Sequence, residues 1–443
     1  MTTQIISGRA LRMWKVGALT TQVGSSYLFT NLLKPFRSVD AHQRELLDTH
    51  VRNALRIVES SKELRGTFTK LVQMLSMRDD LFPAEALDVL SVVQSSVPPM
   101  NPKVIRRTIE AELGEPPERL FRRFWPDAFA AASLGQVHRA ELRGGEPVVV
   151  KIQYPGVEKT VEQDLRNVDA LLEILTRIAG DVFRHEIDAA EVGRELRERL
   201  REELDYEQEA RNLRRFRGLF ADDEEIEIPE AHAELSTRRV LTMGRIDGYP
   251  MVEMLAPGVD RELKDWIAIK YCRTLLRQVL RFGVLHTDPH PGNYLVTYHP
   301  HLGILDFGSI RTFPDPLRRA YVDLCRAFLE RDEDGIAEAC RRLGFLGETE
   351  PPGPLISVLE CLLEPLLVDR EYDPAEYRSI DKAVRAAQTV IENRLFHAPG
   401  HRVFLLRALV GLESYVKQLG TVANWRRIFA EEVEAASATS SSA

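Results

Sequence analysis

The sequence predicts an α+β fold in which a small strand-rich region lies between two larger helical regions. Apolar residues recur at helical spacing through residues 41–113 and again from Trp266 onward. Between these regions, the β-branched run 147–153 follows a glycine-containing turn signal at residues 143–146, a pattern typical of a β-hairpin. The length of 443 residues is sufficient for a two-lobed protein with an extension. The predicted regions are 1–39, 40–115, 116–247, 248–434 and 435–443.

The composition favours a globular protein with a sizeable core. Hydrophobic residues make up 44% of the chain and charged residues 28%. The net charge of −8 argues against nucleic-acid binding as the main function. No apolar run approaches the roughly 18 residues that a membrane-spanning helix needs. The cysteines show no metal-ligand spacing and are predicted to be buried free thiols of a reducing compartment: Cys272, Cys325, Cys340 and Cys361.

Residues 1–39 form a basic amphipathic arm with no acidic side chain before Asp40. The apolar side chains that could form a stripe along it are Leu11, Trp14, Ala18 and Leu19. Three interpretations stay open. The arm could pack on the rest of the protein, lie on an anionic membrane surface, or act as a mitochondrial targeting segment.

Residues 40–115 are predicted to form a helical extension. In the segment 64–76, apolar residues lie on one face of a helix, and Lys70 and Gln73 share a neighbouring stripe. Further helices are predicted at 84–94 and 102–113. Taken alone, this pattern indicates an ordinary amphipathic bundle in which the lysine and the glutamine are solvated.

The strand-rich region carries one lysine within an apolar strand. Lys151 lies in the run Val148–Gln153, where burial of its charge would be unfavourable without an acidic partner. The charged stretch 188–217 is predicted to be helical and to supply that partner, Glu209. Asp205 would share a face with Glu209, and two like charges there would repel each other. A loop of small residues is predicted at 129–138, and a last strand at 239–243 precedes a hinge-like turn at 244–248.

The stretch 286–308 contains the strongest motif of the chain. Asp288 and Asn293 belong to an H-x-D-x-x-x-x-N loop, and Asp306 begins the D-F-G that follows it. Phosphoryl transfer needs a carboxylate to orient the nucleophile, together with an amide oxygen and a second carboxylate to hold a divalent metal. The apolar runs 294–296 and 302–305 are predicted to form a hairpin that presents these groups. Two rivals are a proline-rich surface turn and a zinc site formed by His286, Asp288 and His290.

These features together are typical of a kinase. A small-residue loop, a hairpin and a strand lysine have the layout of the nucleotide-binding lobe, and the motif at 286–308 has that of the catalytic lobe. The prediction is therefore a bilobal protein-kinase-like fold with a helical N-terminal extension and a disordered tail at 435–443.

The chain resembles the UbiB/aarF-domain family of atypical kinase-like proteins. An alanine-rich segment replaces the usual glycine-rich loop: Ala130, Ala131, Ala132 and Ser133. The strand around Lys151, the run Glu203-Leu204-Asp205 and the set Asp288, Asn293 and Asp306 resemble the family's nucleotide lysine, E-x-D motif and metal loop. The subgroup of coenzyme Q accessory kinases, which has no C-terminal membrane helices, is the most similar.

The resemblance implies binding of ATP and magnesium, with Met243 and the alanine segment contacting the nucleotide and Lys151, paired with Glu209, contacting its phosphates. It also implies ATPase rather than protein kinase activity. The segment Lys70–Gln73 resembles the family's K-x-G-Q helix, whose lysine would meet the carboxylates of Glu203 and Asp205 as a gate. This chain departs from that pattern because Val72 stands where the family has glycine.

The leading hypothesis is an ATPase that supports the biosynthesis of ubiquinone or another isoprenoid lipid at a membrane. Expected partners are a nucleotide, a quinone-type lipid or membrane surface, and lipid-biosynthesis enzymes, but no nucleic acid. The expected location is the cytoplasm, at the inner face of the membrane, or the mitochondrial matrix in a eukaryote. The alternatives are a small-molecule kinase of the aminoglycoside or choline type and a nucleotide-gated scaffold without turnover.

Overall fold

The computed structural model describes residues 9–32, 39–64, 100–132, 134–159, 161, 173, 189–288, 290–373 and 400–440. Its α-helices are α1 (Arg9–Leu32), α2 (Val39–Leu64), α3 (Pro102–Leu113), α4 (Pro117–Leu120), α5 (Ala189–Glu203), α6 (Tyr206–Leu219), α7 (Arg261–Leu276), α8 (Asp315–Glu330), α9 (Glu333–Arg342), α10 (Gly353–Leu367), α11 (Gly400–Leu419) and α12 (Trp425–Ser440). Its strands are β1 (Arg123–Ala132), β2 (Gly135–Glu141), β3 (Pro147–Gln153), β4 (Ile226–Glu227), β5 (Val240–Gly244), β6 (Gly248–Pro250), β7 (Val284–His286), β8 (Tyr294–Thr297), β9 (Leu302–Ile304) and β10 (Ile310–Thr312).

The chain forms two compact units. The first contains Met1–Ala210 and Ala231–Arg245, and the second contains Arg211–Glu230 and Ile246–Ala443. The chain therefore passes from the first unit to the second within α6, and again in the turn at 244–248 that the sequence analysis singled out.

The first unit is built on an antiparallel sheet with strand order β1-β2-β3-β5. Helix α3 covers one face of this sheet. Asn101 caps the start of α3 by accepting a hydrogen bond from the backbone N–H of Lys103, and Gly114 ends the helix with a φ of 81°. The buried core between helix and sheet consists of Ile105, Ile109, Phe121, Ala140, Val148, Val150, Ile152 and Val240.

The N-terminal helices α1 and α2 pack against each other through polar as well as apolar side chains. The hydroxyl of Tyr27 lies 2.8 Å from Nδ1 of His50, and those of Thr30 and Thr49 lie 3.0 Å apart. Burial raises the pKa of Tyr27 to about 12, so its hydroxyl stays a neutral hydrogen-bonding group. Trp14 on α1 remains exposed.

The second unit contains two small sheets, one with order β4-β9-β8-β6 and one that pairs β7 with β10. Strands β8 and β9 form the predicted hairpin, with Tyr294 opposite Ile304. In the described part of the chain, no helix is long and apolar enough to cross a membrane. The thiols of Cys272 and Cys340 are buried, as predicted, whereas that of Cys325 is half-buried and the Cys361 side chain lies outside the described residues.

A network of buried charges joins α7 and the following π-helical turn to the segment before β4 and to α12. Lys270 binds Asp223 at 2.6 Å and Glu225 at 2.8 Å, although only 6% of Lys270 is exposed. Arg273 and Arg277 both bind Glu432 of α12, at 2.8 and 3.0 Å. Because Lys270, Asp223 and Glu432 face opposite charges, they can be largely buried, whereas 53% of the Glu225 side chain is exposed.

Several predicted elements need correction. The alanines 130–132 are not in a loop, because they pair with β2 as the end of β1. The stretch 188–217 is two helices, since the chain breaks at Leu204 and Asp205. The strand predicted at 239–243 is β5, which covers Val240–Gly244; a 3₁₀ turn at Ala233–Leu235 and an isolated bridge from Ala231 to Met243 accompany it.

The sequence predicts helices and a single hairpin after Trp266, but this region contains two further strands. Strands β7 and β10 are also present, and each of them has only three residues. The tail was predicted to be disordered from residue 435, yet α12 continues to Ser440 because Ala436 is fully buried.

Gly135 generates a stability prediction. A Cβ atom at this position would overlap the carbonyl oxygen of Ile152 on β3, and both atoms belong to the paired backbone of a sheet. We expect Gly135→Ala to lower the free energy of unfolding by about 1–3 kcal/mol, the usual range for overpacking.

Urea denaturation would measure this change. The matched control is Gly218→Ala in α6, where an added Cβ meets no atom within 4 Å. That control should be neutral or stabilising. Equal stability of Gly135→Ala and the wild type would contradict the close approach.

Candidate functional site

In the first unit, Lys151 lies on β3 and forms an ion pair with a carboxylate of α6. The Nζ atom of Lys151 lies 2.7 Å from Oε1 and 2.9 Å from Oε2 of Glu209. Only 12% of the Lys151 side chain and 3% of the Glu209 side chain are exposed. The ring of Tyr206 also lies near this ammonium group, with 5.1 Å from Nζ to the ring centroid. The structure thus contains the ion pair expected from the unfavourable burial of a single lysine.

The break between α5 and α6 determines how Glu209 is presented. Asp205 caps α6 by accepting a hydrogen bond of 2.9 Å from the backbone N–H of Gln208. The side-chain amide of Gln153 donates to the carbonyl of Leu204 at 2.8 Å and so ties this break to β3. Asp205 therefore caps α6, while Glu209 pairs with Lys151, the cation that the sequence analysis expected for it.

The alanine segment lies at the end of β1 beside β2. Ala130 is opposite Val137, Ala131 opposite Gln136 and Ala132 opposite Gly135. Ser133 lies outside the described residues. On the other side of β3, Met243 of β5 is buried opposite Val149.

Of the four residues predicted to form a gate, two lie outside the described residues. These are Lys70 and Gln73. Glu203 is the last residue of α5 and is half-buried, as is the capping Asp205. Their expected meeting with Lys70 stays a prediction.

The catalytic-loop residues of the second unit lie close together. Asp288 follows β7, and Asn293 ends a 3₁₀ turn that leads into β8. The side-chain amide of Asn293 donates to both the backbone carbonyl and Oδ2 of Asp288, at 3.0 Å each. The backbone N–H of Leu305 donates to the carbonyl of Asn293 at 3.0 Å, which brings the start of the D-F-G motif beside the loop.

His286 joins the two acidic residues through their backbones. Its Nδ1 accepts a hydrogen bond of 3.2 Å from the N–H of Asp288, so the proton of the neutral ring is on Nε2. Nε2 donates this proton to the backbone carbonyl of Asp306. The buried Gln278 supports the same residue by accepting a hydrogen bond of 2.8 Å from its backbone N–H.

The D-F-G motif is anchored on both sides of its carboxylate. Oδ1 of Asp306 accepts a hydrogen bond of 2.9 Å from the N–H of Gly308. Phe307 is fully buried and makes edge-to-face contacts with the rings of Phe216 and His286. The side-chain amide of Asn212 on α6 donates to the carbonyl of Phe307 at 2.8 Å.

Two buried tyrosines pack beside the loop that carries Asp288. The rings of Tyr271 on α7 and Tyr294 on β8 lie 5.0 Å apart in an edge-to-face arrangement. Burial raises the pKa of both hydroxyls, and the nearby negative charge of Asp288 raises it further. Both side chains therefore remain neutral beside the carboxylate.

The donor set fits magnesium better than zinc. The amide nitrogen of Asn293 faces Asp288, so the Asn293 oxygen, together with the Asp306 carboxylate, could serve as a metal ligand. Within the described ranges, no three His, Cys, Asp or Glu side chains converge on a metal position. Magnesium bound with a nucleotide needs only one or two protein carboxylates, because phosphates and water complete its shell. The rival zinc site fails because both ring nitrogens of His286 are occupied.

Sequence reasoning missed several supporting residues. Asn212 and Gln278 are polar positions inside helical stretches, and nothing in the local pattern indicates that they hold the motif residues. Thr287 pairs its hydroxyl with that of Ser309 at 2.6 Å, a contact between β7 and β10 that depends on the unpredicted strands.

The chain is similar to several atypical kinases. A family model described as "ABC1 atypical kinase-like domain" matches residues 92–340. A chloroplast protein of Arabidopsis thaliana, ACTIVITY OF BC1 COMPLEX KINASE 7, is 33% identical over 358 residues, which are 80% of this chain and 50% of that protein. The mitochondrial atypical kinase COQ8 of Saccharomyces cerevisiae is 28% identical over 432 residues, which are 96% of this chain and 85% of that protein.

A solved structure shows the same fold. The complex of Rv3197 with erythromycin from Mycobacterium tuberculosis matches with a TM-score of 0.62 and 25% sequence identity. The match covers 88% of this chain and 97% of that chain. With respect to length, the chain spans about half of the chloroplast relative and most of the yeast relative.

The ion pair of Lys151 generates a prediction that does not depend on activity. Glu209→Gln leaves a buried ammonium group without its carboxylate, and breaking a buried pair in this way costs about 3–5 kcal/mol. We expect a loss of this size in the free energy of unfolding, measured by urea denaturation. Glu207→Gln, at an exposed position of the same helix, should have almost no effect.

The double variant Lys151→Met with Glu209→Met separates pairing from packing. Because it removes both charges, it should recover much of the stability that Glu209→Gln loses. A double variant no more stable than Glu209→Gln would show that the unpaired charge is not the cause.

Proposed function

The chain belongs to the ABC1 (UbiB/aarF) atypical kinase-like family, and on this basis we propose that it is a magnesium-dependent ATPase that supports isoprenoid-lipid biosynthesis. The predicted α+β kinase-like fold is confirmed by the likeness to the mycobacterial structure. The observation that carries the proposal is the hydrogen-bonded set of Asp288 and Asn293 beside Asp306.

In the first unit, Lys151 would bind the α- and β-phosphates of the nucleotide. Its ammonium group is already fixed by two short contacts to Glu209, so it is held in place before a nucleotide binds. The end of β1 with Ala130, Ala131 and Ala132 would cover the nucleotide, and Met243 would contact its base. Support comes from the arrangement of β1, β2 and β3, in which the alanines and Lys151 flank the same middle strand.

In the second unit, Asp288 would orient the attacking water or hydroxyl. The amide of Asn293 holds Oδ2 of this carboxylate at 3.0 Å, which limits its rotation. The Asn293 oxygen and the Asp306 carboxylate would hold magnesium, which when bound neutralises the charge of the phosphate oxygens. His286 would only position Asp288 and Asp306, since both of its ring nitrogens are hydrogen-bonded to the backbones of these residues.

The lipid part of the proposal has separate support. The yeast relative is a mitochondrial atypical kinase named COQ8, and a second protein with this name, from Caenorhabditis elegans, is 32% identical over 368 residues. On α1, the exposed Trp14 and Phe29 are each 66% accessible. The arm that carries them has basic but no acidic side chains before Asp40, as expected for contact with an anionic membrane surface.

The proposed location follows the relatives, which are mitochondrial or chloroplastic by name. We propose that the protein acts at a membrane surface, either in the cytoplasm of a bacterium or in the matrix of a mitochondrion. The gate of Lys70 and Gln73 with Glu203 and Asp205 remains part of the proposal. Val72 would make this gate looser than a glycine would.

The metal assignment predicts the effect of Asp306→Asn. Removing the carboxylate that would hold magnesium should lower ATP hydrolysis at least about 100-fold, because metal stabilisation of the transition state contributes several kcal/mol. Phosphate release from Mg-ATP is the measurement. Asp334→Asn, at an exposed position at the start of α9, is the control and should retain the wild-type rate.

Turnover retained in Asp306→Asn would contradict the metal assignment. A raised melting temperature with nucleotide, but no phosphate release from the wild type under any condition, would favour the scaffold alternative.

The membrane proposal predicts that liposomes with anionic lipid and a quinone precursor bind the protein and stimulate phosphate release. Trp14→Ala combined with Phe29→Ala should weaken co-sedimentation with these liposomes, since both rings are exposed on the basic arm. The control is Tyr298→Ala in the second unit, whose ring is 69% exposed. Equal loss of binding in both variants would contradict a specific role of α1.

A further inference from the structure

Two buried side chains, those of Gln136 and His138, connect the start of α3 with strands β1 and β2. The backbone N–H of Met100 donates to Oε1 of Gln136 at 2.8 Å. Nε2 of Gln136 lies 2.7 Å from Nε2 of His138, and Nδ1 of His138 lies 3.0 Å from the carbonyl oxygen of Trp125. Gln136 is 2% exposed and His138 is completely buried, so water cannot replace these contacts.

The hydrogen atoms in this chain of contacts have a single consistent arrangement. A backbone N–H can only donate, so the Gln136 atom that faces Met100 must be the oxygen. The Gln136 amide nitrogen then donates to His138, whose Nε2 must carry a lone pair. The ring proton is therefore on Nδ1 and is donated to the carbonyl of Trp125. Every group has a partner, provided that His138 is neutral.

The irregular pairing of β1 with β2 explains why a side chain, His138, must bind the carbonyl of Trp125. The register between β1 and β2 shifts between Phe124 and Ala128, so that Phe124 faces Ala140 whereas Ala128 faces His138. The carbonyl of Trp125 lies within this bulge, and His138 supplies its hydrogen bond. The ring also stacks on Phe124 at a centroid distance of 5.2 Å.

The contacts lie on the face of the sheet that α3 covers. Along β3, Val150 and Ile152 belong to the core beneath α3, so Lys151 between them projects from the opposite face. Gln136 is opposite Ala131 of β1 and Ile152 of β3. It therefore lies directly between the alanine segment and the strand that bears the lysine.

We propose that Gln136 is a positioning residue for nucleotide binding, which links the start of α3 to the alanine segment only while His138 is neutral. This inference rests on the proposed function, because it assumes that the alanine segment contacts the nucleotide. It adds a pH-dependent connection between the last helix of the extension and that segment.

Protonation of His138 would break the link. A second ring proton, on Nε2, would face the amide hydrogens of Gln136. Turning the amide round would place those hydrogens against the N–H of Met100 instead. Either way two donors face each other, and one buried group loses its partner.

The surroundings set the direction of the pH effect. Burial lowers the pKa of His138 from its ordinary value of 6.5, although the carbonyl of Trp125 and the charge of Asp127 act in the opposite direction. Asp127 is the charged group that acts on the ring from β1, while α3 contributes Ile105 and Ile109 to this layer and β3 contributes Val150. A lowered folded-state pKa means that the link is complete above pH 6.5 and weakens as the pH falls below it.

The test is amide hydrogen exchange of the full-length protein from pH 7.5 to 5.5, followed at Met100 in a peptide that begins at least two residues before it. Protection is corrected for the intrinsic pH dependence of exchange. Because opening takes up one proton, protection at Met100 should fall by up to about tenfold per pH unit below 6.5. The affinity for a non-hydrolysable Mg-ATP analogue, measured on the same samples, should fall in parallel.

Two variants of Gln136 make the test specific. In Gln136→Glu, one carboxylate oxygen accepts from Met100 and the other accepts from a protonated Nε2 of His138. The pH dependence should therefore be reversed, with protection and affinity highest at pH 5.5. Gln136→Met removes both contacts at similar volume and should lose protection at every pH.

Each outcome decides a separate point. Wild-type protection that is the same at pH 7.5 and 5.5, or a Gln136→Glu variant that follows the wild type, would overturn the link. Protection that changes as expected while nucleotide affinity does not would overturn the positioning role. If the wild type bound no nucleotide at any pH, the proposed function would fail, and protection alone would still decide whether the link exists.

Discussion

The candidate site of the second unit depends on one imidazole ring. His286 accepts a hydrogen bond from the backbone of Asp288 and donates one to the backbone of Asp306, which is 18 residues further along the chain. The H-x-D-x-x-x-x-N loop and the D-F-G motif are therefore held by a rigid ring that accepts one hydrogen bond and donates another. The hairpin of β8 and β9 closes the same loop from the other side, through Asn293 and Leu305.

Two largely buried lysines, one in each unit, face carboxylates from distant parts of the chain. Lys151 binds Glu209 in the first unit, and Lys270 binds Asp223 and Glu225 in the second. The hydrogen bond from Lys270 lowers the pKa of Glu225, which keeps that partner ionised. Such pairs add little net stability over apolar residues, but removing one partner is strongly unfavourable. They therefore determine which helices can pack together more than how tightly they pack.

The sequence predicted those features that depend on neighbouring residues or on the burial of a single charge. The loop with Asp288 and Asn293 and the β8–β9 hairpin are local patterns. Lys151, in contrast, required a carboxylate partner irrespective of where in the chain that partner lies. Strands β7 and β10 were missed because three residues show no alternation that could be recognised. The charges around Lys270 were missed because their partners lie more than 40 residues away, where a charge pattern looks like a solvated helix face.

The contacts of Glu432 show that the segment matched by the family model is not a complete folding unit. The family model ends at residue 340, whereas Glu432 lies far beyond it and binds Arg273 and Arg277, both inside the matched region. A fragment cut at the family boundary would leave these two guanidinium groups without that carboxylate. The packing of the segment that the family model matches is thus completed by a residue of the last helix.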